Sequence, residues 1–354
     1  MVTLAEILRR HWPAYGARFG NRIPRAHRAA VAALCRCRTP DLGGQLYRCA
    51  CGQARYVYHS CGHRACPQCG QGDALAWVAR QRVKLLPVPY FLVTFTVPAE
   101  LRRVIRDHPK LCLGQLFSES AGTLQDVAQR EKYLGAQLGF LGVLHTWTRQ
   151  LEYHPHIHYL VPGGGLSADG LRWRAVSDPQ FFLPERVLAA RWRNRLQAAL
   201  ARDLPEVYRT LPTRIWRIGW VVDVLPVGRG ETALNYLSAY IYKTALSSAR
   251  LVACDAQSVT FTYQDRASGA TRRCRLSGIE FLRRFLQHVL PKGFQRVRTF
   301  GWASPAARRR RERIAALLDW RAPALVPPPP APPILCGCCQ RPMFFVGLLP
   351  RPPP

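Results

Sequence analysis

The sequence predicts an α+β fold in which a small metal-binding module precedes a larger domain. Short runs of aromatic and β-branched residues alternate with longer segments of helical spacing, a pattern typical of a mixed domain. Seven of the 13 cysteines fall between Cys35 and Cys69, ahead of that pattern. A chain of 354 residues can form two or three domains. We therefore expect a helical, zinc-binding and DNA-binding domain at 1–75, a catalytic domain at 76–300 and a tail at 301–354.

The individual elements follow from local patterns. Leu4, Ile7, Leu8 and Trp12 have helical spacing and predict the first helix. Further helices are predicted at 26–34, 74–86, 101–138, 184–204, 231–246, 278–289 and 306–318. Strands are predicted where β-branched and aromatic residues concentrate, at 90–97, 143–150, 153–161, 215–224, 251–253 and 259–263. Residues 323–333 are rich in proline and predict an extended linker behind a basic helix.

The charge of the chain predicts a polyanionic partner. The formal net charge is +30, from 51 Lys and Arg against 21 Asp and Glu. The basic residues are spread along the whole chain rather than gathered beside one apolar anchor, which favours nucleic acid over a membrane surface. The longest apolar run, residues 85–95, contains two prolines and is too short to cross a bilayer. The first residues lack a signal-peptide core, so we expect a chain retained in the cell, where clustered cysteines indicate metal sites.

A histidine-rich strand is the first candidate for a catalytic centre. His154, His156 and His158 alternate with other residues, so on a strand they project from the same side and can bind one divalent ion. We expect His156 and His158 as ligands, with His154 as the first candidate for the third ligand and Glu152 as a weaker one. Solvated histidines on an edge strand are the alternative, and Pro155 favours an edge position.

A tyrosine pair supplies the second candidate. Tyr236 and Tyr240 are four residues apart and Lys243 follows, so all three share one face of the helix predicted there. A tyrosine can form a covalent phosphotyrosine with a DNA strand when a metal activates the phosphate. Two tyrosines one helical turn apart could hold two strand ends in turn. Core packing is the ordinary explanation of such a stripe, and the neighbouring histidine strand favours catalysis.

The cysteines predict zinc. Cys49 and Cys51 form one pair and Cys66 and Cys69 a second, fifteen residues further on, which is close to the spacing of a tetrahedral thiolate site. The first pair is one residue short of the usual gap. Four residues are alternatives as ligands here or of a second ion: Cys61, which we favour, and His63, His59 and Cys35. Free buried thiols are the alternative to zinc. A further knuckle at residues 336–339 has no evident partner pair and needs ligands from elsewhere.

Basic and aromatic side chains are candidates for DNA contact. We expect six arginines to bind phosphates: Arg55, Arg64, Arg80, Arg308, Arg309 and Arg310. Trp77, Tyr90 and Trp302 could stack on unpaired bases, although core packing is the commoner role of any single aromatic residue.

Together these motifs resemble the HUH superfamily of single-strand nucleases, which is named for a His-hydrophobic-His motif, here His156-Ile157-His158. More closely, the chain resembles bacterial rolling-circle transposases of the insertion-sequence ninety-one type. Five stretches in the family's order carry the resemblance: SCGHRACPQC at 60–69, FLVTFTVPAEL at 91–101, HPHIHYLVPGGGLS at 154–167, YLSAY at 236–240 and HVLPKGFQRVRTFG at 288–301.

The resemblance implies the fold and the chemistry. It implies an antiparallel sheet in which the histidine strand is central and lies beside the strand at 90–97, with the tyrosine helix over the metal. Tyr236 and Tyr240 would be paired nucleophiles that nick and rejoin single-stranded DNA at element ends, assisted by Mg²⁺ or Mn²⁺. Three positions depart from the family: Tyr242 and Lys243 replace a His-Arg pair, and Ala65 replaces a histidine, so we expect the cysteine module to bind its metal differently.

The same resemblance implies the cellular setting. The protein would act on nucleoid DNA in the bacterial cytoplasm, with host replication factors as further partners, and the sequence leaves its oligomeric state open. Two other functions remain as alternatives: a replication initiator or relaxase with the same chemistry, and a zinc-dependent DNA-binding protein of a decayed element. The intact histidines and tyrosines favour the enzyme.

Overall fold

The computed structural model describes residues 2–69, 71–232, 234–235, 244–265, 267–327 and 332–352, with the backbone alone at 71–75. Its α-helices are α1 (Leu4–Phe19), α2 (Arg25–Arg36), α3 (Gln71–Arg82), α4 (Leu101–Asp107), α5 (Pro109–Ala128), α6 (Glu185–Asp203), α7 (Pro205–Thr210), α8 (Gly278–Leu286) and α9 (Arg308–Leu317). Its strands are β1 (Gly44–Arg48), β2 (Ala54–Tyr58), β3 (Pro89–Thr96), β4 (Ala136–Gln137), β5 (Gly139–Trp147), β6 (Tyr153–Pro162), β7 (Gly164–Ser167), β8 (Trp173–Ala175), β9 (Val221–Arg229), β10 (Leu251–Cys254), β11 (Ser258–Gln264), β12 (Thr271–Ser277), β13 (Val297–Gly301) and β14 (Phe344–Leu349). The α+β fold class is confirmed.

The main sheet has five antiparallel strands in the order β13-β5-β6-β3-β9. The histidine strand β6 is therefore central and lies beside β3, as the family resemblance implies. The edge position inferred from Pro155 is wrong. The register between β5 and β6 shifts between His145 and Trp147, so that Pro155 lies at a bulge and outside the paired residues. A bulge tolerates proline because it leaves a backbone position without a ladder hydrogen bond.

Alternation along β6 gives the sheet two different faces. Ile157, Tyr159 and Val161 belong to a large core that is shared with α5 and α6. The Tyr159 ring packs edge-on against Phe95, and its hydroxyl lies 2.7 Å from the Ser120 hydroxyl of α5. The opposite face carries the histidines and then Leu160, which belongs to a smaller core with α9. The apolar face thus fixes the strand, and the histidines are confined to the other side.

The N-terminal helices build a separate core. Thr3 and Glu6 form a capping box that begins α1. Buried residues of α1 and α2 pack with β10, β11 and α8, where Phe261 and Phe281 are fully buried. Gly278 is required at this contact because a Cβ there would lie 2.0 Å from the His11 ring. Residues of the N-terminal helices and residues of the segment 245–289 therefore share one hydrophobic cluster.

A separate three-stranded sheet joins the cysteine-rich module to the C-terminal tail. Strands β1 and β2 form a hairpin in the cysteine-rich module, and β14 pairs antiparallel with β1 to give the order β14-β1-β2. None of these three strands was expected from the sequence, and the tail after the proline-rich stretch returns to the N-terminal module.

None of the helices within the described ranges combines the length and apolar character that a membrane span requires.

Several predicted elements differ from the structure. The helical region predicted at 101–138 is divided at His108 and ends at Ala128, because Pro109 begins a new helix at α5. The strand predicted at 143–150 runs from Gly139 to Trp147. A 3₁₀ helix at Thr213–Trp216 overlaps the start of the strand predicted at 215–224, and β9 begins only at Val221. Strands β12 and β13 were not expected, and most of the helix predicted at 231–246 lies outside the described residues.

One close contact makes the β5–β6 pairing testable. Gly142 of β5 lies opposite Tyr159, and a Cβ at 142 would stand 2.5 Å from the Tyr159 ring. We expect Gly142→Ala to lower the free energy of unfolding by about 1–3 kcal/mol, because a fully buried ring cannot move aside. Urea denaturation measures the change.

The control is another glycine with open space around it. Gly114 lies within α5, and nothing lies within 4 Å of a Cβ built there. Gly114→Ala should raise the free energy of unfolding by about 0.5–1 kcal/mol, because alanine is the better helix former. A Gly142→Ala variant as stable as the unmodified protein would contradict this packing.

Candidate functional site

Three imidazoles converge on the histidine face of the main sheet. His145 of β5 and His156 and His158 of β6 offer ring nitrogens that all lie within 4.8 Å of one another. Their ring centroids are 4.8–5.3 Å apart. His145 and His158 are buried and His156 is half-buried. We call these three residues the histidine site.

The third member differs from the one that the sequence predicted. His156 and His158 are brought together as expected, but His145 completes the group and His154 does not belong to it. His145 is the cross-strand partner of His156, and directly opposite residues on antiparallel strands lie about 4.5–5.5 Å apart. His154 lies at the bulge, where the regular alternation of faces is lost. The structure thus groups His145, rather than His154 or Glu152, with His156 and His158, and we propose His145 as the third ligand.

Hydrogen bonds orient two of the rings. The Nδ1 atom of His156 lies 2.7 Å from the backbone oxygen of His154, so it donates its proton there. The Nδ1 atom of His158 lies 2.9 Å from the Thr94 hydroxyl on β3. The proton on Nδ1 of His156 leaves its Nε2 atom as an electron-pair donor, which is the arrangement that outer hydrogen bonds impose on metal-binding histidines.

The protonation state also suits metal binding. Burial lowers the pKa of His156 to about 4. Burial, with a smaller contribution from His156, lowers the pKa of His158 to about 3. Both rings are neutral near pH 7, and only neutral imidazole donates to a metal. Three such donors would leave coordination positions open for water or a phosphate oxygen, which distinguishes a catalytic metal site from a structural one.

The predicted nucleophiles lie outside the described residues, as does the basic residue that follows them: Tyr236, Tyr240 and Lys243. Thr244, the next described residue, lines a small cavity together with Trp147, whose ring stacks on His145 at 4.9 Å.

The cysteines form two separate groups. The first thiol cluster consists of Cys37, Cys61, Cys66 and Cys69, and its sulfur atoms approach to 3.4–3.6 Å. A tetrahedral Zn²⁺ with bonds of about 2.3 Å needs sulfur atoms about 3.8 Å apart, so this donor set fits zinc. Hydrogen bonding from Cys66, and from the backbone amide of His63, helps to lower the pKa of Cys61 to about 5.

The second thiol cluster consists of Cys49, Cys51, Cys336 and Cys339, again with all sulfur atoms within 4.8 Å. The sequence paired Cys49 and Cys51 with Cys66 and Cys69 in one site, and this grouping is wrong. The β1–β2 hairpin directs the first pair to the C-terminal knuckle, whereas Cys37 at the end of α2 completes the other group. Cys37 was missed, since Cys35 was considered in its place.

Two of the predicted DNA-binding arginines have structural roles. The Arg64 guanidinium donates to three backbone oxygens between Leu290 and Phe294. Arg55 donates to the Leu335 oxygen at 3.1 Å. All six predicted arginines are exposed, including Arg80, Arg308, Arg309 and Arg310.

The predicted base-stacking residues are mostly core residues. Tyr90 and Trp302 are buried, and their polar atoms bond the backbone of Leu86 and Gln137. Trp77 is half-buried and packs against the hydrophobic cluster that contains both Tyr90 and Trp302. Core packing is therefore the role of Tyr90 and Trp302.

Two family models match the chain. The model described as "Putative transposase" matches residues 139–312, which include the histidine site. The model described as "Transposase zinc-binding domain" matches residues 7–97, which include the first thiol cluster.

Two known proteins are similar over most of their length. "Putative transposase y4qJ" of Sinorhizobium fredii is 36% identical over 335 residues, covering 89% of this chain and 83% of the relative. "Transposase for insertion sequence element IS801" of Pseudomonas savastanoi pv. phaseolicola is 29% identical over 293 residues, covering 77% and 69%. No solved structure is significantly similar to the chain.

The zinc-binding module and the strand pair with the histidine site thus belong to a transposase. The chain is a member of the insertion-sequence ninety-one type of transposases, which confirms the resemblance seen in its motifs. The zinc-binding match and the thiol clusters together support structural zinc in this chain.

The histidine site predicts a sharp difference between two neighbouring substitutions. We expect His145→Ala to weaken Mn²⁺ binding by at least about tenfold, because it removes one of three donors. The control, His154→Ala, should leave the affinity nearly unchanged, because the His156 ring bonds the backbone oxygen of His154, which the substitution keeps. Isothermal titration calorimetry measures both. Equal losses in the two variants would contradict the assignment of His145.

The lowered pKa values predict how metal binding depends on pH. Protons compete for the His156 and His158 rings only as the pH approaches pKa values of about 4 and about 3, well below the ordinary value of 6.5. We expect the Mn²⁺ affinity to stay nearly constant from pH 8 to about 5.5 and to fall below that. Electron paramagnetic resonance of free Mn²⁺, with circular dichroism to verify folding, tests this. A tenfold loss between pH 8 and 6.5 would show ordinary, exposed histidines.

Proposed function

We propose that this transposase nicks and rejoins single-stranded DNA at the ends of its element through a 5′-phosphotyrosine intermediate. The observation that carries the proposal is the histidine site, in which three imidazoles converge beside the centre of the sheet and burial keeps His156 and His158 neutral near pH 7. Such a site suits a Lewis acid for phosphoryl transfer. The tyrosines of the YLSAY segment are the nucleophiles suggested by the sequence.

The reaction is a transfer of one phosphodiester bond. A divalent ion held by His145, His156 and His158 would polarise the scissile phosphate and neutralise its charge. The Tyr236 or Tyr240 oxygen bonds to phosphorus, its proton is released to solvent, and the 3′-oxygen leaves and is protonated. The products are a free 3′-hydroxyl and a 5′-phosphotyrosine, which conserves the bond energy for rejoining. The second tyrosine would repeat the transfer on the other strand end, and Lys243 would add positive charge near the phosphate.

The donor set bears on the choice of metal. Mg²⁺ prefers oxygen ligands and keeps its waters, whereas Mn²⁺ and later transition metals accept imidazole more readily. We therefore propose Mn²⁺ ahead of Mg²⁺ for this site, because all three ligand groups that the structure brings together are imidazoles.

Exposed basic residues supply a route for the DNA backbone. Arg309, Arg310 and Arg313 of α9 line an open cavity of about 740 Å³ beside the turn at Ser167–Gly170. Arg80 on α3 is exposed as well. Guanidinium groups along an open groove neutralise phosphates without reading sequence. We propose this groove as one contact of the single-stranded DNA.

We also propose three domains, at residues 1–75, 76–300 and 301–354. The protein would act on nucleoid DNA in the bacterial cytoplasm, with host replication factors as partners.

A covalent adduct assay tests the function. We expect labelled single-stranded oligonucleotides from the element ends, incubated with the protein and Mn²⁺, to yield a protein–DNA adduct that survives denaturation. Tyr236→Phe and Tyr240→Phe together should abolish the adduct, because phenylalanine has no oxygen to bond to phosphorus. Denaturing gel electrophoresis measures the labelled adduct.

The outcomes separate the function from its site. His154→Ala is the matched control and should form the adduct normally, whereas His145→Ala should not. Binding of cognate ends without any adduct would favour a DNA-binding protein that lacks catalysis. An adduct that persists in the double phenylalanine variant would reject the two tyrosines and leave the reaction class intact.

A further inference from the structure

The second thiol cluster joins residues that are far apart in the chain. Cys49 and Cys51 lie in the N-terminal module, and Cys336 and Cys339 lie 285 to 290 positions further on. The C-terminal pair also lies outside both family-matched segments, residues 7–97 and 139–312. A zinc-binding role for the N-terminal module therefore does not account for this cluster.

We propose that Cys49, Cys51, Cys336 and Cys339 bind a second structural Zn²⁺ that clamps the C-terminal strand onto the N-terminal module. This proposal does not depend on the nicking chemistry. It assigns the ion a mechanical role, which is to hold the two ends of the chain together.

The geometry of the sulfur atoms fits one tetrahedral ion. Cys49 and Cys339 are 3.4 Å apart, Cys51 and Cys336 are 3.6 Å apart, and Cys51 and Cys339 are 3.7 Å apart. A disulfide would place two sulfur atoms about 2.05 Å apart, so these thiols are not oxidised pairs. A Zn²⁺ with four thiolates requires about 3.8 Å between sulfur atoms. Four thiolates also leave no open position, as expected of a structural site.

Each pair of ligands lies on a tight turn that faces the other. In the first turn, the Gly52 amide donates to the Cys49 oxygen at 2.9 Å, with Gly52 at φ 88°. In the second, the Gln340 amide donates to the Cys336 oxygen at 3.0 Å. The amides of Cys339 and Cys338 lower the pKa of Cys336 to about 6. Two knuckles of this kind present four sulfur atoms at one point.

The surrounding sheet explains why an ion is needed there. Strand β14 supplies the third strand next to β1, and Gly43 permits the approach, since a Cβ there would lie 2.6 Å from the Leu349 oxygen. The side chains of β14 are largely exposed, with Phe344 at 68% and Leu348 at 71%. Among the described residues, the hydrophobic cluster beneath them has three buried members, Cys49, Cys336 and Met343. Apolar burial is too small to hold this strand, so the metal ligands provide the main anchor.

Metal content provides the first test. We expect purified protein to carry about two zinc ions per chain, one for each tetrahedral cluster. Cys336→Ser with Cys339→Ser should reduce this to about one after dialysis against a mild chelator. The matched control is Cys338→Ser, which removes an exposed thiol of the same knuckle that lies outside the cluster and should retain both ions. Inductively coupled plasma mass spectrometry measures the zinc.

The second test measures whether the C-terminal tail separates from the rest of the protein. This measurement does not require the zinc content of a variant to be known. A specific protease site inserted between Ala324 and Leu325, in an exposed stretch without secondary structure, lets the full-length protein be cut after folding. In the otherwise unmodified protein and in Cys338→Ser, the 325–354 fragment should co-elute with the body in size-exclusion chromatography. In the double variant, or after strong chelation, it should elute separately.

Two results would overturn the proposal. One is equal zinc content in the double variant and in Cys338→Ser. The other is a cleaved tail that stays bound in the double variant as firmly as in the control, which would mean that the β1–β14 ladder alone holds it. Cys66→Ser addresses the other cluster and should lose one zinc ion while the cleaved tail remains attached, so the two sites can be told apart.

Discussion

The register between β5 and β6 is the constraint on which the part of the structure with the histidine site depends. It places His145 opposite His156 and Gly142 opposite Tyr159. Because side chains alternate across a strand, one register decides both faces at once: Tyr159 fills the core while His158 faces away from it. A slip of one residue would exchange apolar and imidazole side chains between the faces. The packing of Tyr159 therefore fixes the histidine site as firmly as it fixes the core.

The same register buries the imidazole rings of the histidine site. Burial disfavours the charged form of an imidazole, and this lowers the pKa values of His156 and His158 far below 6.5. The His154 oxygen compensates in part by accepting the proton of His156, and the Thr94 hydroxyl lies within hydrogen-bond distance of His158. These two rings are uncharged and oriented before any ion arrives. A metal that enters such a site displaces no proton near neutral pH, and it finds its donors without reorganisation.

The sequence predicts what is local and misses what the tertiary pairing decides. Residue types and period-2 spacing were enough to identify His156 and His158 and the helix and strand classes around them. His145 was missed because it is a single polar residue in the apolar run GFLGVLHTW, and only the hairpin brings it opposite His156. The spacing favoured His154 as the third ligand because a bulge cannot be seen in it. Strand β14 could not be predicted because its pairing partner β1 lies 300 residues earlier.

The thiol clusters follow the same rule at a longer range. Spacing suggests that Cys49 and Cys66 belong together, yet ligands of one ion need only be near in space, and here the partner of Cys51 is Cys336. These two cysteines are 285 positions apart. Closing a loop of that length in the unfolded chain costs about 5–6 kcal/mol in conformational entropy. Structural zinc sites contribute about 10–16 kcal/mol, which exceeds the cost of closure. A three-stranded sheet with an exposed outer strand would not offset it alone. A metal at the second thiol cluster would thus make the N-terminal module depend on the C-terminal residues, so that its third strand forms only in a chain that includes them.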